Sequence, residues 1–173
     1  LGRVSGASRI YIFENHQGPE GTLLMSQRSE WCSEGIKPQI ENPTLQNLPY
    51  QESFPRWAEL LENGEAISST VDNLPEAERV ILEPQGVLAV LVLPLIVNGE
   101  FFGFIGLDNC IKKRTWEQSE VDLLLIAASA VARWHERRLA REALAYERDL
   151  LQTLMDNSPD HIFFKDKESR LVR

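Results

Sequence analysis

The sequence predicts an α+β fold, a central antiparallel β-sheet flanked by helices and followed by a long C-terminal helix. Three observations carry that prediction. Two apolar arms, Gly86 to Val97 and Glu100 to Asn109, flank Asn98-Gly99, a dipeptide whose tolerance of positive φ suits the type I′ turn of a hairpin. Both arms are apolar on both faces, so the hairpin needs cover on each side, with helices as the expected cover. Ser8 to Asn15 and Thr22 to Cys32, separated by the turn-rich His16 to Gly21, read as an antiparallel strand pair. From Thr115 no Gly or Pro interrupts the chain before Pro159, which permits a helix of about 40 residues, roughly 60 Å at 1.5 Å per residue.

The totals set limits. With 173 residues and 43% hydrophobic content, the chain can bury one good core, which favours one domain plus an appendage. The 18 basic and 26 acidic residues give a net charge of -8, which repels a phosphate backbone, so no nucleic-acid partner is expected. No apolar run approaches the roughly 20 residues of a membrane-spanning helix, and the first residues form no signal series. A cytoplasmic location is therefore expected. Cys32 and Cys110 stand alone, without a Cys-x-x-Cys or Cys/His cluster, which argues against a disulfide framework and a structural zinc site. They read as buried reduced thiols, and no metal is expected.

The other elements follow in chain order. Leu1 to Ser5 is too short for a self-sufficient helix and reads as the last turn of an element. Between Ser33 and Leu48, Gly35, Pro38, Asn42 and Pro43 break any period, leaving a surface loop with at most a short turn at Thr44 to Leu48. Long loops of this kind border sites. Phe54 to Leu61 has helical apolar spacing, with Pro55 in its first turn and Gly64 at its end. Ala66 to Val71 is a brief strand, and Leu74 to Leu82 a helix with Val80, Ile81 and Leu82 against an acidic outer side.

Thr115-Trp116-Glu117-Gln118 fits a capping box for the long helix. Val121 to Ala132 is too apolar to face water and is expected to lie across the sheet. Further on, Ala140, Leu144, Glu147, Leu151 and Leu154 follow heptad spacing, as pairing with a second copy requires. Glu147 weakens that seam, and Leu139, Ala143, Tyr146 and Leu150 form a competing one. A helix lying on its own domain is the third possibility. Arg133, Arg137, Arg138 and Arg141 alternate with Glu136, Glu142 and Glu147, a charge network rather than an anion site. Asp156 to Asp160 breaks the helix, and His161 to Asp166 opens a strand with no remaining chain to pair with.

Leu93-Pro94-Leu95, Asn98-Gly99, Gly103-Phe104-Ile105-Gly106-Leu107-Asp108 and Trp116 to Ala132, in this order of elements, resemble a GAF domain over about residues 1 to 138. Residues 139 to 157 then read as a connecting signalling helix of coiled-coil type. Met155 to Asp166 resembles the opening of a PAS domain, so residues 158 to 173 read as its truncated start. That combination resembles bacterial signalling proteins, mostly two-component sensor histidine kinases and less often diguanylate cyclases or phosphodiesterases.

The resemblance implies a GAF-like antiparallel sheet with the first and last helices on one face and a ligand pocket under short helices on the other. It places Trp31, Phe54, Trp57, Leu60, Leu61 and Thr70 near the pocket, with Val90 and Phe104 contributing from the sheet. Aromatic residues with a few polar groups suit a small organic ligand. The competing reading is that the tryptophans only fill the core.

Bilin-binding members of that family attach the pigment at a cysteine usually followed by His or Leu, whereas Cys32 precedes Ser33 and Cys110 precedes Ile111. His16, His135 and His161 read as solvated, poor axial ligands for a heme. The expectation is neither covalent bilin nor heme, with the ligand's identity open. The cyclic-nucleotide signature of the family does not map onto this chain, and two isolated cysteines do not reproduce the set its methionine sulfoxide reductases use. Without a phosphate loop, a catalytic triad or a zinc-protease helix, no catalytic residue is expected. Asp108 could hydrogen-bond a ligand or cap a local turn, and the turn cap is the favoured reading.

Three functions are thus in play. The first is a non-catalytic sensor that binds a small molecule and signals through a homodimeric helix to PAS and output domains. The second is a ligand-free dimerisation and relay spacer. The third is redox chemistry at Cys32 or Cys110, which requires an exposed thiolate.

Overall fold

The computed structural model describes residues 2–157 and 164–172. A one-turn helix, α1 (Gly2–Ser5), precedes β1 (Arg9–Gln17) and β2 (Leu23–Cys32). After the loop come β3 (Leu48–Pro49), α2 (Tyr50–Ser53), α3 (Pro55–Glu62), β4 (Ile67–Thr70) and α4 (Glu76–Leu82). The expected hairpin is β5 (Ala89–Val97) and β6 (Glu100–Asn109), and the long helix is α5 (Gln118–Asn157). A small hairpin, β7 (Phe164–Lys165) and β8 (Leu171–Val172), follows. The chain divides into two compact units, residues 1–134 and 135–173.

In the first unit six strands form one antiparallel sheet in the order β3-β2-β1-β6-β5-β4. At the β5–β6 turn Asn98 and Gly99 have φ of 52° and 83°, as a type I′ turn requires. Strand alternation sends Leu91, Leu93, Leu95, Ile105 and Leu107 to one face, where Leu124 and Ala128 of α5 and Trp116 pack on them. Val90, Val92, Phe104, Tyr11 and Phe13 face the other way, into a core roofed by α2, α3 and α4. The hairpin is thus covered on both sides, which is why neither arm alternates in polarity.

Several local expectations are corrected. Only one stripe of α5 is buried in its first half: Leu125 and Ile126 are 53% and 68% exposed, because a helix on a sheet buries one side. The helix is capped two residues later than the sequence suggests. Glu120, not Gln118, reaches back, accepting the Glu117 N–H at 2.9 Å, while its carboxylate also takes Arg114 at 2.5 Å. In α4 Val80 faces out and Glu78 is buried, inverting part of the expected polarity. The short strand β3 was not expected, since Pro49 and its two-residue length hide it; it pairs with Leu24 and Met25.

In the second unit, the segment of α5 from Arg137 onward is mostly exposed. Both heptad seams belong to this surface: Leu144, Leu151 and Leu154 of one, with Ala140, and Leu139, Tyr146 and Leu150 of the other, with Ala143. Arg138 and Glu142 form an i,i+4 pair at 3.8 Å, in line with a charge network. His135 is buried, against the expectation of a solvated ring. The strand expected from His161 does have a partner in its described part: Phe164 and Lys165 pair with Val172 and Leu171. Asp166 closes the turn by accepting the N–H groups of Glu168 and Arg170, and those hydrogen bonds hold its carboxyl below the usual range. His161 lies outside the described residues.

Candidate functional site

The pocket-side face of the sheet carries a polar group that the apolar pattern concealed. Arg9, Tyr11 and Phe13 share one face of β1 by strand alternation, and Phe104 and Asp108 share the same face of β6. Arg9 lies opposite Asp108 in the ladder and Tyr11 opposite Gly106. Arg9 Nε and Nη2 donate to Asp108 Oδ2 at 3.2 and 2.8 Å, and the Tyr11 hydroxyl donates to Oδ1 at 2.9 Å. The Tyr11 ring lies over Gly106, where a Cβ would meet it at 2.4 Å; the missing side chain lets the phenol reach Asp108.

All three groups are buried. Burial pushes the Asp108 carboxyl up, against the opposing pull of the Arg9 charge and the hydrogen bonds from Tyr11 and Arg9. Burial also pushes the Tyr11 phenol well up, reinforced by the Asp108 carboxylate. For Arg9, burial works against the guanidinium charge, and the Asp108 carboxylate and its hydrogen bond, with Cys110 and Tyr11, together outweigh it, so the group stays charged. Asp108 is therefore an ion-pair partner inside the domain and not the expected turn cap. The cap is Asn109, whose Oδ1 accepts the N–H groups of Ile111 and Lys112.

This group lines a cavity of about 30 Å³ between the sheet and the short helices. Its floor is Arg9, Tyr11, Phe13, Met25, Phe104 and Asp108, and its roof includes Leu45, Phe54, Trp57, Ile81 and Leu82. Phe13 and Phe104 stack at 4.9 Å, and Trp57 meets Phe104 edge-on at 5.9 Å. Two buried polar atoms among the lining residues have no hydrogen-bond partner: Arg9 Nη1 and Gln27 Oε1. Arg9 is 1% exposed and Gln27 3%. Buried polar atoms are normally satisfied, so these two mark where the protein leaves hydrogen-bonding capacity for something else.

The roof is fastened at two places. Glu30 accepts the backbone N–H of Gln39 at 2.7 Å and of Ile40 at 2.9 Å, which pins the loop that carries Leu45. Glu78 in α4 takes a bidentate pair from Arg56, both contacts at 2.8 Å, and the Trp57 indole N–H at 2.8 Å, which ties α3 to α4.

A β-bulge decides which residues of β2 reach the cavity. The register with β1 shifts between Ile12 and Phe13, so Gln27 opposes Phe13 while Glu30 opposes Tyr11 and Cys32 opposes Arg9. The extra residue puts Met25, Gln27 and Glu30 on the cavity side and turns Trp31 to the opposite face. There the Trp31 ring covers Gly2 and is 37% exposed.

The residues expected near a pocket thus divide. Phe54, Trp57 and Phe104 line the cavity. Leu61 and Val90 are buried in the core beside it, and Leu60 packs on that core from partly exposed ground. Thr70 ends β4 opposite Ala89 and does not line the cavity. Arg9, Gln27 and Glu30 were not expected, and Asp108, read first as a turn cap, lines the cavity. The available signal was a charged residue alternating with Tyr11 and Phe13 in an otherwise apolar strand, which demands a buried counter-charge.

Both cysteines are free and half-buried. Burial and the Glu30 carboxylate push the Cys32 thiol up to about 11, and burial pushes Cys110 up as well. Burial therefore opposes the thiolate that redox chemistry at either cysteine requires.

Comparison with known proteins adds three findings. The chain is 40% identical over 152 residues to the methanogenesis regulatory histidine kinase FilI of Methanothrix harundinacea strain 6Ac, covering 88% of this chain and 17% of that protein. Among solved structures, the GAF3 domain of Slr1393 from Synechocystis sp. PCC6803 in its photoproduct state matches with a TM-score of 0.68, at 16% identity, over 83% of this chain and 90% of that one. A domain of a protein assigned to the two-component sensor histidine kinases, from Sinorhizobium meliloti 1021, matches with a TM-score of 0.62, at 16% identity, over 83% and 89%. Identities this low show a shared fold.

These neighbours correct the expectation on cofactors. Similar folds include the phycocyanobilin-bound GAF domain of a cyanobacterial phytochrome, with a TM-score of 0.59 at 19% identity over 76% of each chain, and a domain with bound biliverdin. Setting bilins aside on the residue after each cysteine tested one covalent bond, whereas the sheet and short helices are supplied by the fold whatever follows the cysteine. No described helix is long and apolar enough to cross a membrane. The family model for the GAF domain matches residues 1–133, and the chain belongs to the GAF domain family.

Proposed function

We propose that this GAF domain is a non-catalytic sensor module that binds a small molecule in the cavity between its sheet and short helices. The observation that carries this is the pair of unpartnered buried atoms, Arg9 Nη1 and Gln27 Oε1, on residues that line one cavity together with aromatic and aliphatic side chains and the polar Glu30, Gln39, Gln85 and Asp108. The 40% identical relative is a regulatory histidine kinase, which supports a parent protein of that type; the chain spans 17% of its length. Signalling then runs through α5, paired with a second copy along Ala140, Leu144, Leu151 and Leu154, to a PAS domain beginning after residue 157 and an output domain beyond it.

The path from cavity to helix is short. Asp108 sits at the end of β6 and Asn109 caps the turn that follows. Arg114 then stacks on Trp116 at 4.1 Å and pairs with Glu120 in the first turn of α5. A ligand that favours one placement of Asp108 biases that turn, and only such a preference shifts the helix equilibrium.

The small size of the cavity, about 30 Å³, favours a second reading, the ligand-free spacer, since about 10–15 Å³ of such space already suffices for a water molecule. Native mass spectrometry of the purified chain, with its absorbance spectrum, separates the two. The sensor predicts a dimer carrying extra mass, with a visible band if the cargo is a bilin. A bare-mass chain that takes up nothing from a cell extract, biliverdin included, sinks the sensor in favour of the spacer.

A further inference from the structure

We propose that the cavity selects an uncharged, compact organic molecule bearing an amide-type pair, a carbonyl accepting from Arg9 Nη1 and an N–H donating to Gln27 Oε1. The proposal rests on the cavity being a ligand site and names the chemistry that site takes.

The two unpartnered atoms are of opposite kind, one donor and one acceptor. Each belongs to a side chain more than nine-tenths buried. A single anionic group satisfies Arg9 and leaves Gln27 unmet. Charge decides further against an anion. The Arg9 guanidinium is already neutralised by Asp108 at 2.8 Å, and Glu30 adds a second carboxylate to the same lining. One cation and two carboxylates leave the lining net negative, where a further carboxylate in a low-dielectric site is repelled. An ammonium is disfavoured because the Arg9 guanidinium lines the same cavity and the Glu30 oxygens already accept from Gln39 and Ile40.

The rest of the lining suits a flat ring. Phe13, Phe104 and Trp57 contribute aromatic rings to the same lining, with Met25 as an adaptable filler. The volume of about 30 Å³ restricts the ligand to a compact one.

The test uses matched probes on the full chain, read by the indole N–H resonance of Trp57 in nitrogen-15 correlation spectra. The probes are benzamide and 2-pyridone (neutral, with carbonyl and N–H), benzoate (anion), benzylamine (cation) and toluene (no hydrogen bonds). The two amides are expected to shift that resonance with saturation, at least about tenfold more tightly than the other three, the worth of one buried hydrogen bond. In Gln27→Leu the preference for amide over toluene is expected to fall about tenfold. That variant also removes the Gln27 Nε2 donor, so a melting curve checks that folding is retained.

Equal binding of toluene and benzamide would keep the pocket and overturn the amide assignment, as would tighter binding of benzoate or benzylamine. No shift with any probe would overturn the assignment, and bare-mass chain in the extract experiment would add the failure of the sensor reading. Biliverdin, whose terminal rings carry the same lactam pair, is the second source of this chemistry. A visible band with biliverdin that weakens in Gln27→Leu, with no response to benzamide or 2-pyridone, would move the amide to a tetrapyrrole and overturn the compact ligand.

Discussion

At the scale of residues, a buried charge pair joins two neighbouring strands of the sheet. Arg9 and Asp108 are 99 positions apart in sequence and adjacent in the ladder. Removing the charge of one leaves the other buried without its counter-ion, which costs about 3–5 kcal/mol. Asp108→Asn is therefore expected to lower the urea midpoint by that equivalent. An unchanged midpoint would mean that the pair contributes nothing to the fold. The sequence makes Arg9 conspicuous, since it alternates with Tyr11 and Phe13, but names no partner. Asp108-Asn109 reads locally as a turn, and in the structure only its second member caps one.

At the scale of elements, two devices shape the site. The bulge in β2 exchanges the faces of everything after Gln27, so Glu30 lines the cavity and Trp31 does not. Glu78 joins α3 to α4 through Arg56 and Trp57. Glu78→Leu leaves the buried Trp57 N–H unmet, worth about 1–3 kcal/mol, and releases the two helices from each other. Amide hydrogen exchange is expected to speed up in α3 and α4 while β5 and β6 keep their protection. Uniform acceleration across the sheet would show instead that Glu78 supports the whole domain. Helix periodicity placed both helices closely; it assigned Glu78 to the outside because acidic side chains are usually solvated, and a bidentate arginine with an indole donor outweighs that preference here.

At the scale of the whole molecule the open question is what covers the long helix. Both apolar seams of its second half are exposed in the single chain, and the expected occupant is the same seam of a second copy. Leu144→Glu combined with Leu151→Glu puts charge on the seam proposed as the interface. Light scattering is expected to show the mass falling to that of one chain, with the sheet's circular dichroism retained. A mass that stays at two chains would place the interface elsewhere, for instance on Leu139, Tyr146 and Leu150.

What the sequence determined by itself is what depends on neighbours in the chain. The Asn98-Gly99 turn, the doubly buried hairpin, the two opening strands and the forty-residue helix all rest on local backbone preference and on the period of apolar residues. Three cavity residues, Phe54, Trp57 and Phe104, were legible through the family pattern of aromatics around the short helices. Tertiary structure alone decided the rest. One extra residue in β2 inverts the facing of a strand, and the Arg9–Asp108 pair depends on β1 lying beside β6, a register between distant segments that no local signal encodes. The unpartnered Arg9 and Gln27 atoms exist only once the roof has closed over that register, so the chemistry of the candidate site is a property of the folded sheet.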